Sequence, residues 1–430
     1  MTHARLTVEG GAFLRDGRPF LYLADTVWSA FTNPTDDEWC GYLDLRREQG
    51  FTAVQIDVLP QWDRTILPGS PTPFTRDEAG RVRWDATWDD GLDAYLAHAR
   101  RRCVEVVRRG LVPVLVVLWS NYVPGTWASA MRGTDVMPLD RVADYVRQVA
   151  GALADLDPVW VVGGDTDLGS PETVAHYRLA ADVLREQDPD GLRALHLRRG
   201  DDQVPDELAE RIQVLLYQSG HNRDGQGEAY RIGAVLSAAH PGLAVLNGEP
   251  CYEGMGYSRR LYGRFGRREV RAAVWGSLLS GADAGVSYGA HGVWNWHVRG
   301  HAPDPALGEG FDESLPWVDA VQAPGAWDVG TVRQLLETVL PRPLAPCQGL
   351  LVAPDDPRVR VARAADGTVV AYLPVATRLV LRDVPAGAGV TVLDLARGRV
   401  GRLVAEAGGD GGTTVPLHRF DEDVLVLLAP

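Results

Sequence analysis

The sequence predicts an α/β chain: a closed (β/α)8 TIM barrel over residues 1–340, followed by a small all-β sandwich over residues 341–430. Three observations predict it. Apolar runs of strand length recur eight times, and stretches of helical period separate them. Past Pro341, Pro343 and Pro346 the text changes to short alternating segments such as "RVRVARA" and "TVVAYLP", joined by Asp366-Gly367, "PAGAGV" and "GGDGG". Near-continuous apolar runs mark parallel strands covered on both faces, and eight strand–helix repeats are the count that closes a barrel. Alternation with Gly-rich turns marks the antiparallel tail.

In chain order the runs are "FLYLAD" ending at Asp25, "FTAVQIDV" at Val58, "VPVLVVLW" at Trp119, "VWVVGGD" at Asp165, "LRALHLR" at Arg198, "IQVLLYQ" at Gln218, "LAVLNGE" at Glu249 and "AGVSYG" at Gly289. The first helix opens on a capping-box pattern, Thr35 with Glu38, and Gly50 stands where a C-terminal glycine belongs. Helical periods continue in "GLDAYLAHARRRCVEVVRRG", "LDRVADYVRQVAGALADL", "PETVAHYRLAADVLREQ" and "RREVRAAVWGSLLSG". Asp167 and Ser170 are placed to cap the third of these, whose first position, Pro171, suits a helix start.

Composition narrows the function. A formal charge of −14 argues against nucleic acid or an anionic membrane surface as the partner. All 43 basic residues are arginine, which excludes a Schiff-base or P-loop lysine. Cys40, Cys103, Cys251 and Cys347 lack metal or redox spacing and read as reduced thiols. No signal peptide is visible and no segment is apolar for the roughly 18 residues that a membrane helix needs, so the expected location is cytoplasmic.

In such barrels the site is built where the strands end. The residues there are Asp25, Gln55 and Asp57, Trp119, Asp165, Gln218, Glu249, and Tyr288 with His291 just beyond. Acids and amides beside aromatic rings suit a sugar, whose ring C–H groups want flat apolar faces and whose hydroxyls want oriented partners. The set contains no metal cluster, so neither metal nor cofactor is expected, and the expected partner is a carbohydrate substrate. Glycoside hydrolysis needs two carboxyl groups. Asp165 closes the fourth strand and Glu249 the seventh, which face each other across an eight-stranded mouth at a separation compatible with the about 5–5.5 Å of retaining enzymes. Gly163, Gly164 and Gly248 precede them and permit close approach of backbone to substrate or to a neighbouring strand. An N-cap role is the competing reading of Asp165, and Asp167 and Ser170 are better placed for it.

The segments "YLADTVW", "GFTAVQIDVLP", "VWVVGGDTD", "YQSGH", "NGEPCYEG" and "VRAAVWGSLLSGADAGVSYGAHGVWNW" are collinear over most of residues 5–340, and in them the chain resembles the apiosidase-like glycoside hydrolases. The tail resembles the all-β module that commonly follows this barrel and carries a collagen-binding label. The resemblance implies a retaining glycosidase with Asp165 as general acid/base and Glu249 as nucleophile, and a furanoside such as an apioside as substrate. The usual Asn-Glu pair of related barrels is absent at the fourth strand, where Gly-Asp stands instead.

The remaining candidates are substrate-binding. Asp25 is expected to bind sugar hydroxyls at the floor of the site, against a role as a loop cap. His221 is expected to bond a hydroxyl or orient Glu249. Trp119, Tyr122, Trp294 and Trp296 are candidate stacking walls, with core packing accounting for at least one. Trp28, Gln55, Gln218, Tyr252, Tyr288 and His291 complete the set, and Glu253 reads as a loop brace rather than a rival catalytic acid. Two other function classes remain open at this stage: a carbohydrate-binding barrel without hydrolysis, and another sugar-active enzyme such as an isomerase or lyase. Sugar identity, anomer and ring size depend on long loops that carry no readable pattern, and oligomeric state is not written in the sequence either.

Overall fold

A computed structural model describes residues 5–258, 261–301, 313–408 and 412–430. All eight expected barrel strands are present: β1 Tyr22–Thr26, β2 Ala53–Asp57, β3 Val112–Trp119, β4 Val159–Gly164, β5 Arg193–His196, β6 Val214–Gln218, β7 Ala244–Glu249 and β8 Gly285–Tyr288. They close in the order β7-β8-β1-β2-β3-β4-β5-β6, and the ladder between β8 and β1 that seals the barrel is parallel like the rest. Helices α1 Asp36–Glu48, α2 Ala86–Arg108, α3 Leu139–Leu153, α4 Pro171–Gln187, α5 Asp206–Ala209, α6 Glu228–Ala239, α7 Arg267–Leu278 and α8 Gly325–Thr338 follow the strands in turn. After β5 the return is a single turn, where no helical period was legible.

Local chemistry fixes the ends. The Thr35 hydroxyl accepts from Glu38 N–H at 3.3 Å, while Thr35 N–H donates to Glu38 Oε2 at 2.8 Å, so the capping box closes both ways. At the far end of α1, Gly50 takes φ +92°, and the amides of Gly50 and Phe51 return to the carbonyls of Arg47 and Arg46 at 3.0 and 3.1 Å. That is the paired bonding of a Schellman motif, and it delivers Phe51 directly into the approach to β2. Ser170 caps α4 by accepting Thr173 N–H at 3.0 Å. Asp167 does not share that work; its carboxylate accepts Trp127 N–H at 2.9 Å and pins the loop after β3 to the loop after β4.

Beneath the barrel a hairpin, Leu6–Glu9 with Ala12–Arg15, buries Phe13 against the Tyr22 ring at 5.7 Å. The tail forms two antiparallel sheets, the larger ordered Ala345–Pro346, Arg360–Arg363, Val369–Leu373, Val424–Leu428, Gly389–Asp394, Arg399–Val404. Its central strands bury both faces by strict alternation. Val370, Tyr372, Leu425 and Leu427 join the barrel's own core, while Ala371, Leu373, Val424, Val426 and Leu428 pack toward the smaller sheet. A buried ion pair sits in the seam: Arg271 of α7 donates to both oxygens of Asp423 at 2.7 and 2.6 Å, and also to Asp328 of α8 at 2.7 Å.

Candidate active site

Glu249 reaches the mouth through an irregularity. Strict alternation along β7 sends Asn247 outward, where its amide donates to Ser277 of α7 at 3.0 Å, and would send Glu249 the same way. The ladder to β6 slips between Asn247 and Glu249, so that Asn247 pairs with Tyr217 and Glu249 with Gln218. Gly248 is the extra residue of this bulge, and a Cβ there would lie 2.7 Å from the Leu216 side chain. The bulge re-aims the next side chain, a recurrent use of bulges beside reactive centres.

Two imidazoles then hold the re-aimed carboxylate. His221 Nε2 lies 2.9 Å from Glu249 Oε1, and His196 Nε2 lies 3.6 Å from Glu249 Oε2. Burial, the largest influence, pushes the Glu249 carboxyl up. The hydrogen bond from His221, the electrostatic influence of the His221 and His196 rings, and the Tyr252 hydroxyl together outweigh it and leave the group below the ordinary glutamate value. Tyr252 in turn is pushed well above the usual phenol value by burial and by the neighbouring Glu249 charge.

Asp165 is also set by unusual backbone. Its φ is +46°, in the left-handed region that only Gly, Asn and Asp visit readily. Both of its peptide groups are tied: Asp165 N–H donates to His196 Nδ1 at 3.2 Å, and Trp127 Nε1–H donates to the Asp165 carbonyl at 2.7 Å. The preceding glycines make room for rings rather than for ligand. A Cβ on Gly163 would come within 2.4 Å of the Tyr177 ring, and one on Gly164 within 2.4 Å of the Trp119 indole.

His196, fully buried at the end of β5, was not among the residues singled out from sequence. Because its Nδ1 accepts the Asp165 amide, the neutral ring carries its proton on Nε2, the atom that faces Glu249. Burial, with His221 nearby, lowers the pKa of His196 despite the Glu249 charge, which favours that neutral form. One imidazole therefore stands between the backbone of the first expected carboxylate and the side chain of the second. The only sequence signal was a histidine interrupting an apolar strand near its C-terminal end.

Around this pair the structure gathers several of the expected residues. Trp28 packs on Trp119 at 4.9 Å, and both lie against the His196 ring at 6.2 and 6.1 Å. On the other side His221 meets Tyr252 at 4.2 Å, Tyr252 meets Trp294 at 6.5 Å, and Trp294 Nε1–H donates to His291 Nδ1 at 3.2 Å. Gln218 stands beside Glu249 in the ladder.

Five expected substrate contacts are placed elsewhere. Asp25 points out of the barrel toward α1, 0% exposed, accepting from Arg46 Nε at 2.5 Å and the Tyr42 hydroxyl at 2.6 Å. Tyr288, its ladder partner on β8, faces the same way and donates to Glu253 Oε2 at 2.7 Å. Glu253 also accepts Gly325 N–H at 2.9 Å, so it ties the β7 loop to the start of α8. Gln55 does face inward, but its amide is consumed by Thr26 Oγ1 and the Gly248 carbonyl at 3.0 and 2.9 Å, bracing the bulge from below. Tyr122 donates to the Pro60 carbonyl at 2.7 Å and lines a side cavity of about 320 Å³ between the long loops after β2 and β3. Trp296 is core, stacked on Trp317 at 4.4 Å.

Several buried polar atoms without a hydrogen-bond partner among the described residues lie around this mouth. They include both oxygens of Asp57, Trp62 Nε1, Trp119 Nε1, His196 Nε2 and Glu249 Oε2. Folded proteins pair roughly 90% or more of their buried polar groups, so such a concentration marks a place where a ligand completes the bonding. Among the described residues no group of three His, Cys, Asp or Glu side chains is placed to hold a metal ion, and no helix is long and apolar enough to cross a membrane.

Comparison with known proteins agrees with the geometry. No curated protein sequence matches the chain. Among solved structures, one described as a glycoside hydrolase aligns over 99% of this chain and 97% of its own with a TM-score of 0.78 at 17% identity. A glycoside hydrolase family 5 protein from Bacteroides vulgatus ATCC 8482 aligns over 99% and 93% with a TM-score of 0.79 at 18% identity. At these identities the likeness is one of fold. The family model for the apiosidase-like catalytic domain matches residues 9–341, short of most of the tail. By that match the chain belongs to the apiosidase-like family, and it is a glycosidase.

Proposed function

We propose that the protein hydrolyses a glycosidic bond with retention of configuration, with Glu249 as nucleophile and Asp165 as general acid/base. The observation that carries this reading is the state of Glu249. It is a buried carboxylate whose surroundings favour the ionised form, with Oε1 bonded by His221 and Oε2 without a partner at hydrogen-bond length among the described residues. A nucleophile needs that combination of charge, orientation and one uncommitted oxygen.

In the first step Oε2 attacks the anomeric carbon, the bond to the leaving oxygen breaks, and Asp165 supplies that oxygen with its proton. Water then attacks the glycosyl-enzyme at the same carbon, Asp165 takes the water's proton, and Glu249 leaves as carboxylate. Asp165 must begin this cycle protonated and end it so. Trp28, Trp119, Tyr252 and Trp294 supply apolar faces for the ring C–H groups. Given the family, aryl apiosides and other furanosides head the substrate panel, with pyranosides as the contrast.

The test is turnover on that panel for wild type, Glu249→Gln and Asp165→Asn, with the anomer of the first product read by NMR. Glu249→Gln is expected to lose about 10⁴-fold or more. Asp165→Asn is expected to lose about 10²–10⁴-fold on poor leaving groups and much less on activated ones. A product of inverted configuration, or full activity in both variants, defeats the reading.

A further inference from the structure

Among the buried carboxyls that the mechanism above leaves unused, Asp57 is the unanswered one. It closes β2 and is 2% exposed, and neither of its oxygens has a hydrogen-bond partner among the described residues. Its direction follows from the ladder. Gln55, on the same face of the strand, reaches across the barrel to the carbonyl of Gly248. Asp57 lies two residues further toward the mouth, about 7 Å along the strand, and Glu249 lies one residue beyond Gly248. Its ladder partner is Val116, whose side chain faces Gly164 inside the barrel. Asp57 and Glu249 are close enough for each to feel the other's charge, and Asp63 adds a third.

A carboxyl in this position does nothing for the fold. It is desolvated, it faces two acidic neighbours, and no arginine, hydroxyl or amide among the described residues answers it. Such a group costs stability unless a ligand pairs it. Burial, and then the charges of Asp63 and Glu249, push its carboxyl well above the ordinary aspartate range, so the charged form is favoured only when donors arrive; a carboxylate accepts hydrogen bonds and makes none, so what pairs it must bring those donors. A cation fits poorly, since no three chelating side chains converge among the described residues. Hydroxyls fit: two neighbouring ones on a sugar ring match the two oxygens of one carboxylate.

We propose that Asp57 is a substrate-binding residue that grips hydroxyl groups of the sugar whose anomeric carbon faces Glu249, and so determines which glycone the site accepts. This rests on the glycosidase reading and names a residue that the reading does not require.

The test pairs affinity with stability. Wild type and Asp57→Asn are titrated calorimetrically with D-apiose, L-arabinose, D-xylose, D-mannose and D-glucose, their melting temperatures are compared without sugar, and both are assayed on the aryl glycoside panel. The sugar that binds wild type is expected to bind Asp57→Asn about 10- to 100-fold more weakly, the worth of charge-assisted hydrogen bonds. The variant is expected to melt no lower than wild type, because Asn fills the same space and the desolvated carboxyl it replaces has no hydrogen bond to lose. Equal affinity overturns the proposal. So does a variant that melts well below wild type, which would make Asp57 a structural group, and so does a wild type that binds no sugar of the panel. If wild type hydrolyses no glycoside while Asp57→Asn still loses sugar binding, the assignment of Asp57 stands and the hydrolytic reading falls.

Discussion

His221 and His196 act on opposite oxygens of the same carboxylate, and only the first bonds it at hydrogen-bond length. Removing the nearer ring lets burial prevail, so in His221→Asn the Glu249 carboxyl rises. On the proposed mechanism, in which Glu249 attacks as a carboxylate, the acid limb of kcat/KM is then expected to move to higher pH. The same mechanism puts the wild-type limb below the ordinary glutamate range, and the stability contributed by ionised Glu249 is likewise lost as pH falls through the same depressed value. A pH profile of each enzyme checks this, together with a fall in kcat of about 10- to 100-fold. An unmoved acid limb would assign it to another group. At this scale the sequence was only partly legible. A carboxylate after a strand marks a candidate, and Asp165 and Glu249 stood out for that reason. His196 did not, because a histidine within an apolar strand looks the same whether it packs in the core or spans two functional groups.

At the scale of elements, the eight strands were legible because a parallel barrel strand is buried on both faces and writes itself as an apolar run. The same property hid the direction of each side chain. Asp25 and Tyr288 close their strands as Asp57 closes β2, yet register sends the first two out to the helices and the third into the mouth. Neither the bulge at Gly248 nor the left-handed turn at Asp165 follows from period, since each is a departure from it. Asp25 illustrates the cost of misreading direction. In Asp25→Asn the buried Arg46 guanidinium loses its carboxylate, and unfolding stability is expected to fall by about 3–5 kcal/mol, while KM on any accepted glycoside stays at the wild-type value. Denaturant titration alongside steady-state kinetics separates the two effects, and a raised KM with unchanged stability would return Asp25 to the site.

At the scale of the whole molecule, barrel and tail share one core. The larger tail sheet gives alternate residues of Val369–Leu373 and Val424–Leu428 to the barrel, and Asp423 answers Arg271 on α7. Helix α7 also carries Ser277, the outward partner of Asn247 in the strand that bears Glu249. Asp423→Ala leaves Arg271 with Asp328 and the more distant Glu422, at 2.7 and 3.7 Å, so its cost is expected to fall below the roughly 3–5 kcal/mol of an orphaned buried charge while still lowering the melting temperature of the entire chain. A melt in which the tail unfolds first and the barrel is unaffected would contradict it. The joined core bears on how such a chain can change by recombination. An appended module with a polar face can be swapped between relatives like a cassette. Here a donor tail would have to present matching apolar residues at every second position of two strands and an acid opposite Arg271, so barrel and tail are constrained to be inherited together.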